Sequence, residues 1–427
     1  MLDTTRGIAV LGILLMNITG FGLPNAYDDP TNWGGAEGAN LAVWRVMALF
    51  FEGTMRGLFT LLFGAGALLF LERHLARSAD LRPADLYFRR TMWLILFGLI
   101  NGYVLLWDGD ILFWYGVTGL LLFVFRSLTP RRLILCAAAA LLVQSLVTTG
   151  EWLAYREVRD NGQQAQAAQA SGDVLSPEQR EAIEALRGFH EDFKPSLATQ
   201  EKMIASVRES YASAFSVISK RTWRAHTSFF FTHGLLDSLG MMLLGMALLR
   251  LGILTGAAST RVYLLMALIG YTVGLTVNLF ETTRLADTNF AVDALIQSYL
   301  TYDLGRAPMT LGHVGLIGLM CRTPALDAIS RIFGSAGQMA LTNYLSQSLI
   351  CLFLFTGAGL ALFGQLERYE LYYVVAAIWI AQLIWSPLWL KRFRFGPAEW
   401  VWRSLTYWRR QPMRRTLMSP AAAAAVD

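Results

Sequence analysis

Apolar stretches of roughly 17–25 residues recur about ten times along this chain, each long enough to cross a hydrocarbon core as a helix. Connections rich in arginine alternate with connections that carry few or no positive charges, and short basic loops stay in the cytoplasm. The pattern predicts helix 1 over about 7–23, an outward acidic loop holding Asp28, Asp29 and Glu37, and a long returning segment over about 41–71. Arg73, Arg77, Arg82, Arg89 and Arg90 then mark the interior side. Helix 3, about 91–107, ends outside at Asp108-Gly109-Asp110; helix 4 descends to Arg126, Arg131 and Arg132; helix 5 covers about 133–150.

Hydropathy collapses from Glu151 to about Arg224, where mixed-charge segments and a helix-start signature, Ser176-Pro177-Glu178-Gln179, predict two or three amphipathic helices outside. Helices 6 (about 227–249), 7 (about 262–280), 8 (about 292–320), 9 (about 336–357) and 10 (about 371–390) follow; Asp303, Arg306 and Pro308 interrupt helix 8, which reads either as broken or as partly outside. The chain thus reads as an all-α, polytopic transmembrane helical bundle of about ten helices with both termini cytoplasmic. Its parts are membrane helices over 1–150, an extracytoplasmic loop over 151–226, membrane helices over 227–390, and a basic tail over 391–427. The aromatic and basic stretch Phe395–Trp408 suits a helix lying in the interface, with Glu399 and Arg403 paired at i, i+4; the alternative is a wall of a cytoplasmic ligand entrance.

Composition agrees with a membrane protein: 55% of the 427 residues are hydrophobic, 16% are charged, and the mean hydropathy is +0.42. The net charge of +5 sits beside apolar segments, which marks a membrane interface rather than a nucleic-acid partner. Cys136, Cys321 and Cys351 stand apart, without a CxxC or a nearby histidine, so neither a disulfide framework nor a zinc site is indicated.

Ionisable groups inside the bilayer are costly and therefore candidates for function. Glu52 and Arg56, with Arg45 before them, fall near one helical face; they read either as a structural ion pair or as the lining of a cavity for an anion. Asn17, near the outer end of helix 1, and Asn343 with Gln347 read either as interhelical glue or as substrate contacts. Asp108 and Asp110 are an acid–base pair or a solvated turn. His233, with Asp237 at i+4 to orient it, is a candidate base; His313 reads as a histidine satisfied by a carbonyl, and His74, His190 and His226 as surface residues.

Several blocks carry a resemblance. Arg6-Gly7 through Asn17-Ile18, Thr60 to Gly66, Trp107 to Leu112, Met339 to Leu345, and Gly396 to Arg403 together resemble the bacterial YeiB family. The resemblance implies an inner-membrane protein of about ten helices. The first helix also resembles the transmembrane acyltransferase superfamily, which includes heparan-alpha-glucosaminide N-acetyltransferase and the acyltransferase-3 enzymes. That likeness implies acyl transfer from cytosolic acyl-CoA to a sugar or lipid acceptor on the far side, without a metal. The lysosomal relative has a histidine in the loop after the Asn; here Asp28 and Asp29 stand there, ahead of Trp33. On this reading Asn17, Asp28, Asp110 and His233 are the catalytic candidates, and Arg6, Trp33, Glu52, Arg56, Asn343 and Arg403 the substrate contacts. Partners are membrane lipids and the acceptor, with a homo-oligomer left open. A transporter or lipid- or quinone-binding protein without covalent chemistry is the alternative, and an outer loop used for docking or sensing a third.

Overall fold

The computed structural model describes residues 1–76 and 82–415, and these form an all-helical protein. Arg77 lies outside the described residues. Among the described residues, six helical stretches are long and apolar enough to cross a membrane: Leu2–Gly22, Gly38–Leu75, Pro130–Ala170, Tyr211–Arg250, Thr260–Asp287 and Leu371–Arg392.

Helix α1 (Leu2–Gly22) runs through the centre, two-thirds of its residues buried and the rest partly so. It packs hardest against α13 (Asp327–Gln338), where two glycines set the approach. A Cβ on Gly7 would lie 1.9 Å from the Phe333 carbonyl oxygen, and one on Gly337 1.9 Å from that of Asp3. Small residues at such crossings let backbones meet where water supplies no driving force.

The long second segment is broken. Helix α2 (Gly38–Phe50) stops and α3 (Thr54–Leu75) restarts, with Gly53 at φ +62° between them. A side chain there would strike the Tyr302 hydroxyl and Arg306, so glycine is required on conformational and steric grounds. Helix α4 (Arg82–Tyr103) begins within the basic run instead of after it, and α5 (Leu112–Phe125) is short.

Helix α6 (Pro130–Ala170) continues straight past Glu151, where hydropathy falls. At 41 residues it is about 60 Å long. It returns through α7 (Pro177–Phe193), whose Ser176–Gln179 capping box forms as its sequence signature predicts. Helices α8 (Leu197–Glu209) and α9 (Tyr211–Arg224) follow, then a π-helical stretch Ala225–Gly234 leads into α10 (Leu235–Arg250).

Helices α11 (Thr260–Asp287) and α12 (Val292–Met320) form the most extensive pair. Where a break was one expectation, α12 passes through Pro308 as one helix, and its interior charges are paired, Arg306 with Asp303 and with Asp237. Helix α14 (Ala340–Phe355) stands where the ninth helix was expected, and α13 precedes it in the stretch read as an interior connection, the two meeting at Met339. Helices α15 (Leu371–Arg392) and α16 (Pro397–Tyr407) complete the chain, the latter lying across α4 and the start of α14.

Candidate functional site

A cavity of about 450 Å³ opens at the basic end of the bundle, between α1, α3, α4, α5, the α13–α14 bend and α16. Its mouth carries Arg6, Arg73, Arg90 and Arg403; its interior is Phe59, Leu62, Phe63, Phe70 and Leu94, with Tyr115 and Tyr344 deeper. That volume lies within the range of ligand sites, ~300–1,000 Å³.

Arg90 and Arg403 are held by aromatic rings rather than by carboxylates. The Arg90 guanidinium sits 3.8 Å from the Trp402 ring centre and 5.0 Å from that of Phe70. Trp402 is fixed in turn by its indole N–H, which donates to the Arg90 carbonyl at 2.8 Å. Arg403 lies 4.4 Å from the Phe395 ring centre, and its buried Nε has no hydrogen-bond partner. Arg6 alone among these three has a carboxylate, Asp3 at 3.0 Å. His74, expected on the surface, is half-buried in the cavity wall, its Nε2 3.0 Å from the Tyr407 hydroxyl.

Glu399 does not pair with Arg403. Its carboxylate caps α14, accepting from the N–H groups of Leu341 at 2.7 Å and Thr342 at 3.1 Å and from the Thr342 hydroxyl at 2.5 Å. Free N–H groups at a helix start bind a carboxylate more specifically than a flexible arginine does. This cap places α16, and with it Trp402 and Arg403, over the cavity.

Beneath the floor lies Asp110, 1% exposed. It accepts from Asn101 Nδ2 and from the Phe113 N–H, each at 2.8 Å, and burial pushes its carboxyl up to about 7 against those hydrogen bonds. The Tyr344 hydroxyl, in the cavity lining, accepts from the neighbouring Ile111 N–H at 3.3 Å. His226 is buried, not on the surface: its Nε2 is 3.9 Å from Asp110 and its ring stacks on Phe113 at 4.2 Å, with neither ring nitrogen hydrogen-bonded. Gly98 and Gly102 on α4 make the room, because a Cβ on either would press on Asp110 or His226. Asp108 turns away to Arg221 at 2.5 Å, so the two aspartates of the turn are not an acid–base pair.

At the opposite end of the bundle, Arg56 binds Asp237 at 2.6 Å instead of Glu52. The interruption of helix at Gly53 removes the i, i+4 geometry that would join Glu52 to Arg56. Arg306 binds the same Asp237 and also Asp303. Asp237 is therefore unavailable to His233, whose Nε2 lies 3.4 Å from Glu151 on α6. Arg45 is exposed on α2, away from this group.

The remaining candidates do not line the basic-end cavity. Asn17 is half-buried on α1, about 16 Å along the helix from Arg6. Trp33 donates to the Gly364 carbonyl at 2.9 Å, and Asp28 accepts from Tyr299 at 3.3 Å. Asn343 joins Ala336, Trp385 and Ser386, while Gln347 joins Val10 and Gln382, so this band ties α14 to its neighbours. His313 is satisfied by Tyr271 at 2.7 Å and the Phe50 carbonyl at 3.0 Å.

Comparison with known proteins settles the lineage. The chain is 32% identical over 424 residues to the uncharacterized protein YeiB of Escherichia coli (strain K12), covering 95% of each chain. The chain belongs to the YeiB family. It is also 28% identical over 422 residues to the uncharacterized protein YxaH of Bacillus subtilis (strain 168), covering 97% of this chain and 95% of that one. Residues 248–409 match the family described as "Protein of unknown function (DUF418)". No solved structure matches the chain. The protein is thus a multi-pass membrane protein homologous to bacterial proteins.

Of the residues singled out in the sequence, Arg6 and Arg403 meet at the cavity and Asp110 lies under it. Arg90, Trp402, Tyr344 and His226 were missed as site residues. Arg90 reads in the sequence only as a topology marker, whereas the aromatic and basic alternation around Trp402 reads as an interfacial anchor or as the wall of a cytoplasmic ligand entrance.

Proposed function

We propose that this protein is a membrane-embedded acyltransferase whose basic-end cavity takes acyl-CoA as donor from the cytoplasm. The observation that carries the reading is the amphiphilic form of that cavity: guanidiniums at the mouth, phenylalanine and leucine within. Arg6, Arg90 and Arg403 suit the phosphates of the donor, and the apolar interior suits its acyl chain. Alongside the six long apolar stretches, α4, α5, α12 and α14 supply the remaining crossings of a ten-helix topology in the bacterial inner membrane, with both termini in the cytoplasm.

Transfer breaks the thioester C–S bond and forms a C–O or C–N bond to a sugar or lipid acceptor. The acceptor proton passes to a base, and the coenzyme leaves as thiol. Asp110, with His226 beside it and the Tyr344 hydroxyl between it and the cavity, is the group suited to that proton. Asn17, Asp28 and His233 have no place in this donor path.

A second reading, a carrier of the same amphiphile without covalent chemistry, is favoured by one contact. The Tyr115 hydroxyl on the cavity wall is 3.3 Å from the Arg56 carbonyl, so about one turn of α3 separates the cavity from the charged group at the other end. Radiolabelled acetyl- and palmitoyl-CoA offered to the protein in nanodiscs, with sugar and lipid acceptors, separate the two. Transfer supports the enzyme, saturable binding without transfer supports the carrier, and absence of binding refutes both.

A further inference from the structure

The interior of the basic-end cavity is shaped by one face of α3. Phe59, Phe63, Gly66, Phe70 and Arg73 follow one another at helical spacing, and all of them line it. The four positions from Phe59 to Phe70 form an apolar wall, about 16 Å long at roughly 1.5 Å per residue. One leaflet of a ~30 Å hydrocarbon core is about 15 Å thick, so the wall is as long as a membrane lipid's own acyl chain. The two glycines of Gly64-Ala65-Gly66 serve different ends. A Cβ on Gly64 would lie 2.1 Å from the Met242 carbonyl oxygen, so this glycine lets α3 and α10 meet. A Cβ on Gly66 would meet no atom within 4 Å among the described residues, so its missing side chain is room left in the cavity.

The polar groups beside this wall are already engaged. The Tyr87 hydroxyl donates to the Gly119 carbonyl at 2.5 Å, the Thr91 hydroxyl donates to the Tyr87 carbonyl at 2.8 Å, and the Tyr115 hydroxyl shares a hydrogen bond with Thr60. At the deep end Phe59 and Phe63 pack against the Tyr115 ring, with centres 5.9 and 5.4 Å away. A chamber lined in this way stabilises hydrocarbon and offers no new hydrogen bond to a small polar group. The unpaired guanidiniums stay at the mouth, which separates a charged head from an apolar tail along one axis.

We propose that this chamber takes an acyl chain of membrane-lipid length, so that the donor is a long-chain acyl-CoA and not acetyl-CoA. The proposal rests on the donor reading given above and narrows it to a substrate class. Arg90 and Arg403 hold the phosphates at the mouth, the α3 wall sets the depth that the chain can reach, and Gly66 keeps the passage open. An acetyl group ends near the mouth and leaves the apolar wall without a partner. Each further methylene that enters adds about fourfold in affinity, at ~0.8 kcal/mol.

The test titrates radiolabelled acetyl-CoA and palmitoyl-CoA, the latter below its micelle threshold, against the full chain in nanodiscs, with uptake by empty nanodiscs subtracted. Palmitoyl-CoA is expected to bind at least about a hundredfold tighter, the bilayer's competition for its tail included. Gly66→Phe fills the chamber and cuts that preference about tenfold or more. Gly66→Leu, a smaller filling, cuts it less and serves if the phenylalanine variant does not fold, which thermal melts establish. Gly150→Phe, at an exposed glycine of α6 whose Cβ would also meet no described atom within 4 Å, keeps the parent's preference. Equal affinity for the two esters overturns the proposal and leaves the donor reading standing, as does a preference that folded Gly66 variants retain in full. Binding of neither ester refutes the donor reading and the proposal with it.

Discussion

Replacing Asp237 by alanine removes the carboxylate that two guanidiniums share. It accepts from Arg56 at 2.6 Å and from Arg306, and only 7% of its side chain is exposed. Arg306 keeps Asp303, whereas Arg56 is left with the Tyr302 hydroxyl at 3.5 Å. Deleting one partner of a buried ion pair costs ~3–5 kcal/mol, because the other charge stays buried without compensation. Arg56 is 29% exposed, which recovers part of the loss and places Asp237→Ala near the lower bound, about 3 kcal/mol. Asp237→Asn keeps the shape and an acceptor but loses the charge, so a smaller loss of about 1–2 kcal/mol is expected. The assay is a double-mutant cycle on unfolding in a bilayer mimic, with Arg56→Met, Asp237→Ala and the pair. A coupling on the order of 1.5–3 kcal/mol is expected. If Asp237→Ala unfolds like the parent protein, or the coupling is zero within error, the account of a charge-compensated α3–α10–α12 junction is wrong.

Gly337→Ala sets a methyl 1.9 Å from the Asp3 carbonyl oxygen and forces α1 and α13 apart, at a cost on the order of 1–3 kcal/mol in thermal unfolding. Gly334→Ala on the same helix, 3.7 Å from Thr4 Oγ1, is the tolerated control, and equal losses would refute the close-approach argument. Arg90→Gln and Arg403→Gln each weaken acyl-CoA binding roughly tenfold, with a shallower salt dependence than the parent shows in the same titration. Burial raises the Asp110 carboxyl to about 7, so the folded state holds a proton that the unfolded chain has already released. Stability therefore falls as pH rises from the ordinary carboxylate range to about 7, then levels off, and Asp110→Asn removes that slope.

Hydrophobic periodicity and the distribution of arginine were sufficient to read an all-helical membrane bundle, the amphipathic helices between Ser176 and Arg224, and the helix that became α16. These features are local: a run of apolar side chains long enough for a bilayer, or a capping box, acts on its own segment. The partners of charged groups were not legible, because sequence spacing displays only neighbours on one helix. Glu52 and Arg56 have the spacing of a pair, yet Gly53 interrupts the helix between them and Asp237, 181 positions further on, takes the arginine. Asp237 has the spacing to orient His233, yet two guanidiniums claim it first. His226 reads as a surface residue until two glycines of α4 open a space for it beside Asp110. Burial of a charge is decided by whichever compensating group the fold brings within about 3 Å, and that contact exists only once the helices have packed.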